Sequence, residues 1–380
     1  MRASRKAAMV AATTSFAVFS LGTPAHADSI RDSQWHLRYL NISKAHEITK
    51  GSSISVAVVD SGVSPHIDLI KNLGDGTDTS SGGDGVGHVD ESGHGTAMAG
   101  LIAGHGHGSN DGILGIAPDA KILPIKALSS NDSRNTIELG IQRAAELKAK
   151  VINVSNGTAQ SRSLIDAVET AARADSILIA AAGNSSQAAR LGYPAALPEV
   201  LAVGAINRSG KVANFSVTGS NIGLCAPGVD IATTDLSNKY VKGRGTSQAA
   251  AIVSGAAALV RARFPDLSAP EVVHRLTFTA DDNGPPGKDD QCGYGVLNIV
   301  EALTADVPPL NAGGATSAQP GVSSAPGGSD VNSTGAVGQA PSESEDAGSD
   351  LSALIGVGSV AAVLVGLLAF VTVRKRRTSS

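Results

Sequence analysis

Ile54-Ser-Val-Ala-Val-Val-Asp60-Ser-Gly-Val63 is an apolar, largely β-branched run that ends in a carboxylate and then a turn. A run of this kind reads as a strand buried on both faces, the pattern of a parallel sheet. Similar runs recur at residues 121–125, 151–155, 177–182 and 200–206. Helical spacing of apolar residues appears between them at 135–148 and 163–174, and again at 247–263. Ser268-Ala-Pro-Glu271 adds a helix start, with a serine cap and a proline in the first turn. Strands alternating with helices over residues 28–304 predict an α/β domain with a mainly parallel sheet and helices on both faces. Asp60 then sits at the C-terminal end of a strand, where open α/β sheets place their sites.

Three further stretches end or begin elements on polar groups. Ser92-Gly-His94-Gly-Thr-Ala-Met-Ala-Gly100 puts an imidazole where a glycine-rich loop enters a small-residue helix. Ile177-Leu-Ile-Ala-Ala-Ala-Gly183-Asn184-Ser runs a buried strand out into an amide, an uncharged hydrogen-bond donor. Gly243-Arg-Gly-Thr-Ser247-Gln-Ala-Ala-Ala-Ile-Val-Ser-Gly255 places a hydroxyl at a helix entrance, near free N–H groups and the positive end of the dipole. Singly, each has an ordinary explanation as a cap or turn residue. Together they supply an acid, an imidazole, an amide donor and a serine at element ends of one domain. A serine hydroxyl becomes a good nucleophile once an imidazole takes its proton, and the oxyanion formed needs fixed donors.

On these stretches the chain resembles the subtilisin-like serine peptidases, over roughly residues 34–303. The resemblance rests on Val-Ala-Val-Val-Asp60-Ser-Gly-Val, Gly-His94-Gly-Thr, Ala-Ala-Gly-Asn184-Ser and Gly-Thr-Ser247, in that order. It implies that Asp60 orients His94, that His94 is the general base, that Ser247 is the nucleophile and that Asn184 lines the oxyanion hole. It also implies that residues 155–157 (Ser155, Asn156, Gly157) pair with the substrate backbone, that Gly183 lies beside it, and that Gly192 leaves the P1 pocket open. A cis bond before Pro194 is expected on the same ground, and Asn153 is expected to be structural. The sequence departs from the family at Ala251, where a proline is usual, and at Gln248, where an apolar residue is usual. Asn156 stands where relatives often carry Leu or Trp. The chemistry implies no cofactor. Many members hold structural calcium, and no acidic loop in this sequence identifies such a site.

The chain has 380 residues, 42% of them hydrophobic, enough for a sizeable core. Residues 1–27 have a basic start, an apolar stretch and Ala25-His-Ala27, the anatomy of a secretory signal cleaved before Asp28. Removing Arg2, Arg5 and Lys6 with it takes the net charge from −4 to −7. No basic stripe remains, which excludes nucleic acid as a partner class. The two cysteines, Cys225 and Cys292, both fall in the exported part; a disulfide is expected there, with two buried thiols as the alternative.

Residues 305–350 are rich in Gly, Ser, Ala and Pro, carry acids and no base, and read as a flexible linker. Residues 351–373 carry no charge and precede Arg374-Lys-Arg-Arg377, which predicts a transmembrane helix with a cytoplasmic basic tail at 374–380. This layout resembles the mycosins, membrane-anchored subtilases associated with type VII secretion in actinobacteria. It implies a single-pass cell-membrane protein, an extracytoplasmic peptidase acting on protein or peptide, and secretion components as partners. The rivals are a general surface subtilase without a secretion partner, a tethered scaffold whose peptidase activity is dispensable, and a metal enzyme. The last draws on His88, Asp90, Glu91, His94, His105 and His107, but their spacing matches no zinc helix. Gly104-His-Gly-His-Gly108 reads instead as a solvated glycine loop.

Overall fold

The computed structural model describes residues 30–80, 85–108, 111–129, 135–185 and 190–310. In chain order these form α1 (Trp35–Tyr39), α2 (Ile42–Ile48), β1 (Ser55–Asp60), β2 (Thr77–Asp78), α3 (His94–Ala103), β3 (His105–His107), β4 (Asp111–Leu114) and β5 (Lys121–Lys126). Then come α4 (Ile137–Glu146), β6 (Val151–Val154), α5 (Arg162–Arg173), β7 (Ile177–Ala181), β8 (Leu201–Ile206), β9 (Ile222–Pro227), β10 (Ile231–Asp235) and β11 (Lys239–Gly243). The helices α6 (Thr246–Arg263), α7 (Ala269–Phe278) and α8 (Ile299–Thr304) follow.

Alternation along the strands decides which layer each side chain enters. Val56 and Val58 of β1 join the core that contains α3 and α6, whereas Ala57 and Val59 join the core that contains α4 and α5. Ile177 and Ile179 of β7 divide from Leu178 and Ala180 in the same way. Strands buried on both faces favour parallel pairing. The main sheet runs β2-β5-β1-β6-β7-β8-β9, with every pairing parallel. From β1 the chain moves to β5 on one side, then crosses back to β6 on the other. The carboxyl ends of β1 and β6 therefore open onto the crevice where ligands bind in such sheets.

The two kinds of helix differ in composition because they differ in burial. In α5, Leu164, Ala167, Val168 and Ala171 form one buried stripe, and Ser161 caps the helix by accepting from Leu164 N at 3.1 Å. In α6, every residue from Thr246 to Arg261 is buried, which small side chains permit. Gly255 shows the need: a Cβ there would lie 2.6 Å from Cβ of Ile116. Close approach of α6 to the sheet brings its N-terminus to the carboxyl ends of the central strands.

The expected helices at 135–148, 163–174 and 247–263 appear with ends displaced by one or two residues. The antiparallel pair β10–β11 was not expected, since 239–243 (Lys-Tyr-Val-Lys-Gly) lacks an apolar run. The loop expected at 104–108 is corrected: His105–His107 forms β3 against β4, and His107 Nδ1 lies 2.6 Å from the buried carboxylate of Asp68. Glycines concealed a strand that borrows its pairing from a neighbour.

The expected signal at 1–27, the 351–373 span and the 374–380 tail lie outside the described residues, as does the expected linker beyond 310. Its first residues lie along α7, where Arg275 donates to Ala305 O at 2.8 Å and His274 Nε2 approaches Pro308 O at 3.1 Å. Among the described residues, no helix is long and apolar enough to cross a membrane. Cys225 of β9 and Cys292 are joined by a disulfide, both residues fully buried. The bond spans 67 residues, so it restricts the unfolded chain by about 4 kcal/mol. Replacing both cysteines by alanine is expected to lower unfolding stability by that order, read as a fall in the denaturant midpoint; an unchanged midpoint would contradict this role.

Candidate active site

Asp60 ends β1 and is fully buried, so its carboxylate must be met by protein donors. Oδ1 accepts from Ser61 N at 2.8 Å, and Ser61 Oγ lies 3.2 Å from it. His94 Nδ1 lies 2.8 Å from Oδ1 and 2.9 Å from Oδ2. An ionised carboxylate only accepts, so Nδ1 carries the proton and Nε2 is left to receive one. Asn156 Nδ2 donates to Oδ2 at 2.9 Å.

Two glycines let β1 and α3 meet closely enough for this contact. A Cβ on Gly95 would lie 2.0 Å from Gly62 O, and Gly62 itself has φ +99° with no room for a Cβ, which would lie 2.3 Å from Val89 O. Asp90 then fixes the loop. Its Oδ1 accepts from Ser61 Oγ at 2.8 Å, Ser92 N at 3.0 Å and Gly93 N at 2.9 Å. Its Oδ2 accepts from Thr96 N at 2.9 Å and Thr96 Oγ1 at 2.7 Å. A buried carboxylate thus ties the first turn of α3 to the residue after Asp60.

Ser247 lies in the first turn of α6, and its Oγ donates to Ser155 O at 3.0 Å. Ser247 Oγ makes this bond and none to His94. Asn153 Nδ2 donates to Ser155 Oγ at 3.0 Å, and Ser254 Oγ donates to Asn153 Oδ1 at 3.1 Å, so this fully buried amide locks the end of β6 onto α6. Asn184 follows β7, and its Oδ1 accepts from Thr246 N at 2.9 Å and Thr246 Oγ1 at 3.1 Å. The oxygen is thereby committed to the residue before Ser247, and Nδ2 is the free donor. Gly183 N donates to Thr246 Oγ1 at 3.0 Å, which ties both sides of this corner together.

Of the expected substrate residues, Gly157 and Gly192 border open space. A Cβ on Gly192 would meet nothing within 4 Å, and one on Gly157 would meet only Tyr193 O at 3.7 Å. Thr158 N donates to Tyr193 O at 2.8 Å, closing the floor between these segments, and the Tyr193–Pro194 bond is cis. Gln248 is buried and its Oε1 has no partner, in line with the odd chemistry of a polar residue at this position. The structure therefore brings Asp60, His94, Ser155, Asn156, Asn184 and Ser247 to one crevice. Sequence reasoning missed Asp90, Ser61 and Thr246 as its supports. The signal for Ser61 and Thr246 was the clustering of small hydroxyl residues around each expected site residue, and Asp90 was noticed only as a candidate metal ligand. Among the described residues, no three His, Cys, Asp or Glu side chains are grouped to hold a metal ion.

An α/β sheet with a carboxylate–imidazole pair beside a helix-borne serine defines a hydrolase of the serine type. The subtilase family model matches residues 51–295, and the chain belongs to that family of serine peptidases. It is 36% identical over 300 residues to the minor extracellular protease Epr of Bacillus subtilis, covering 77% of this chain and 44% of Epr. It is 34% identical to mycosin-3 of Mycobacterium tuberculosis, covering 74% of each chain. The solved structure of the serine protease MycP1, "an essential component of the type VII (ESX-1) secretion system", superposes with a TM-score of 0.66 at 31% identity. That match covers 73% of this chain and 90% of MycP1.

Asp60 raises the His94 pKa above its ordinary 6.5; burial opposes this, and the hydrogen bond to Asp60 and the nearby charge of Asp90 add to the rise. A base must be neutral to accept a proton, so activity is retained above this raised pKa and lost as the pH falls through it. The acidic limb of kcat/KM is expected to have its midpoint above pH 6.5. A rate that stays flat down to pH 5 would contradict a histidine base.

Proposed function

We propose that the chain is a membrane-anchored, extracytoplasmic serine endopeptidase of mycosin type that works beside a type VII secretion apparatus. The observation that carries the chemistry is the Asp60–His94 contact, which leaves Nε2 as the basic nitrogen next to the corner that holds Ser247. Ser247 is the nucleophile, His94 the general base that later protonates the leaving amine, and Asp60 the group that steadies the imidazolium. For attack, Ser247 Oγ leaves Ser155 O and turns its proton to His94. The negative oxygen formed is met by Asn184 Nδ2, whose direction Thr246 sets.

The substrate backbone lies along residues 155–157 as an added strand, with its P1 side chain in the space that Gly157 and Gly192 leave open. Gly183, which has φ +110°, forms the turn that presents Asn184. Resemblance to mycosin-3 and MycP1 supports the secretion context, and the charge asymmetry around residues 351–373 supports the anchor.

A membrane-impermeant fluorophosphonate probe applied to intact cells tests these assignments together. Wild type is expected to label and Ser247→Ala to remain unlabelled. Equal labelling of Ser247→Ala would overturn the nucleophile, and labelling only after lysis would overturn the topology.

A further inference from the structure

Asn156 was expected to face substrate, yet its side-chain amide is turned inward. Nδ2 donates at 2.9 Å to Oδ2 of Asp60, across 96 residues of sequence. Each oxygen of Asp60 has one donor of its own. Oδ1 has the backbone N–H of Ser61, whose hydroxyl proton goes to Asp90 at 2.8 Å; Oδ2 has Asn156; and the two oxygens share the one Nδ1 proton of His94. Asp60 has no exposure, so water cannot replace a missing donor.

We propose that Asn156 is a positioning residue of the triad, whose amide holds the Asp60 carboxylate with both oxygens turned to His94 Nδ1. The proposal rests on the serine-peptidase reading above. It also couples two parts of the site, because Asn156 lies within the segment, residues 155–157, that receives substrate and whose Ser155 O holds Ser247 Oγ at rest. Seating a peptide on this segment would press the same backbone that orients Asp60.

The physical consequence has a definite sign. A hydrogen-bond donor spreads the negative charge of a carboxylate; removing it leaves that charge less compensated. The imidazolium beside it is then better stabilised, so His94 becomes more basic. The charged groups around His94 are Asp60 at the end of β1, Asp90 in the loop before α3, and Asp235 at the end of β10 against Gly93. Lys126 of β5 is engaged with Glu91 at 3.2 Å. Asn156, Ser247 and Gln248, from the β6 loop and α6, are neutral. Replacing Asn156 by a neutral residue therefore changes no charge near His94, only the donor to Asp60.

The test compares wild type with Asn156→Leu, similar in size without a donor, by NMR titration of the His94 imidazole in the substrate-free protein. His94 is expected to titrate about half a unit to one unit higher in the variant. Its kcat should fall about tenfold, the scale of one hydrogen bond to a charged group, with KM for a small peptide little changed. If Asn156→Leu does not fold, Asn156→Ser, whose hydroxyl falls short of Asp60, carries the same expectation. A His94 titration equal to wild type, with KM altered according to substrate side chain, would overturn the proposal and return Asn156 to a substrate subsite. The titration needs no turnover. A wild type inert to peptides would defeat the peptidase reading and leave this comparison intact.

Discussion

The contact between Asp60 and His94 is the constraint on which the rest of the structure depends. It asks a buried carboxylate at a strand end to meet an imidazole at a helix start, 34 residues away. Burying that charge without partners would cost several kcal/mol, so the chain surrounds it with donors. Ser61 and Asn156 supply them directly, and Asp90 holds Ser61 and the first turn of α3 in place. The backbone contact between Gly62 and Gly95 sets the approach, because a side chain at Gly95 would drive α3 from Gly62 O, and one at Gly62 would strike Val89 O in the loop before α3.

The second half of the site is organised from α6. Its small residues let it lie fully buried against the sheet, and its N-terminus presents Ser247 to the ends of β6 and β7. Thr246 fixes Asn184 and Gly183 at once, so Asn184 Nδ2, the donor that the proposed mechanism gives the oxyanion, is held in place by the fold itself. Such preorganisation is where most of the rate advantage of these enzymes arises. Ser247 Oγ donates to Ser155 O, and the adjacent Asn156 donates to Asp60, so residues 155 and 156 link the two halves. The Ser155 carbonyl belongs to the segment just after β6 on which the proposed mechanism seats substrate, which would give peptide binding a direct route to free the hydroxyl.

Much of this was legible in the sequence because it is local. β1, β5, β6, β7 and β8 were read from mainly apolar runs, with Asp60 and Asn184 at the ends of two of them, and His94 and Ser247 stood where small-residue helices begin. The helix starts at Ser247 and Ser268 were written in their neighbours. What was not legible is long-range. Nothing near Asn156 signals that its amide turns toward Asp60, and its place in a segment expected to bind substrate suggested the opposite. Asp90 looked like one of several potential ligands near His94, whereas its two oxygens are consumed by Ser61, Ser92, Gly93 and Thr96. His107 was hidden by glycines on either side, and only the fold brings Asp68 to it.

The central claim is that Asp60, His94, Asn184 and Ser247 act as one unit on a tetrahedral centre. A crystal structure of the protein inactivated by a fluorophosphonate tests it most directly, because the adduct mimics that centre. The account predicts phosphorus bonded to Ser247 Oγ, the phosphoryl oxygen within hydrogen-bond distance of Asn184 Nδ2, and His94 still paired with Asp60. An adduct on another residue, or a phosphoryl oxygen turned away from Asn184, would contradict it.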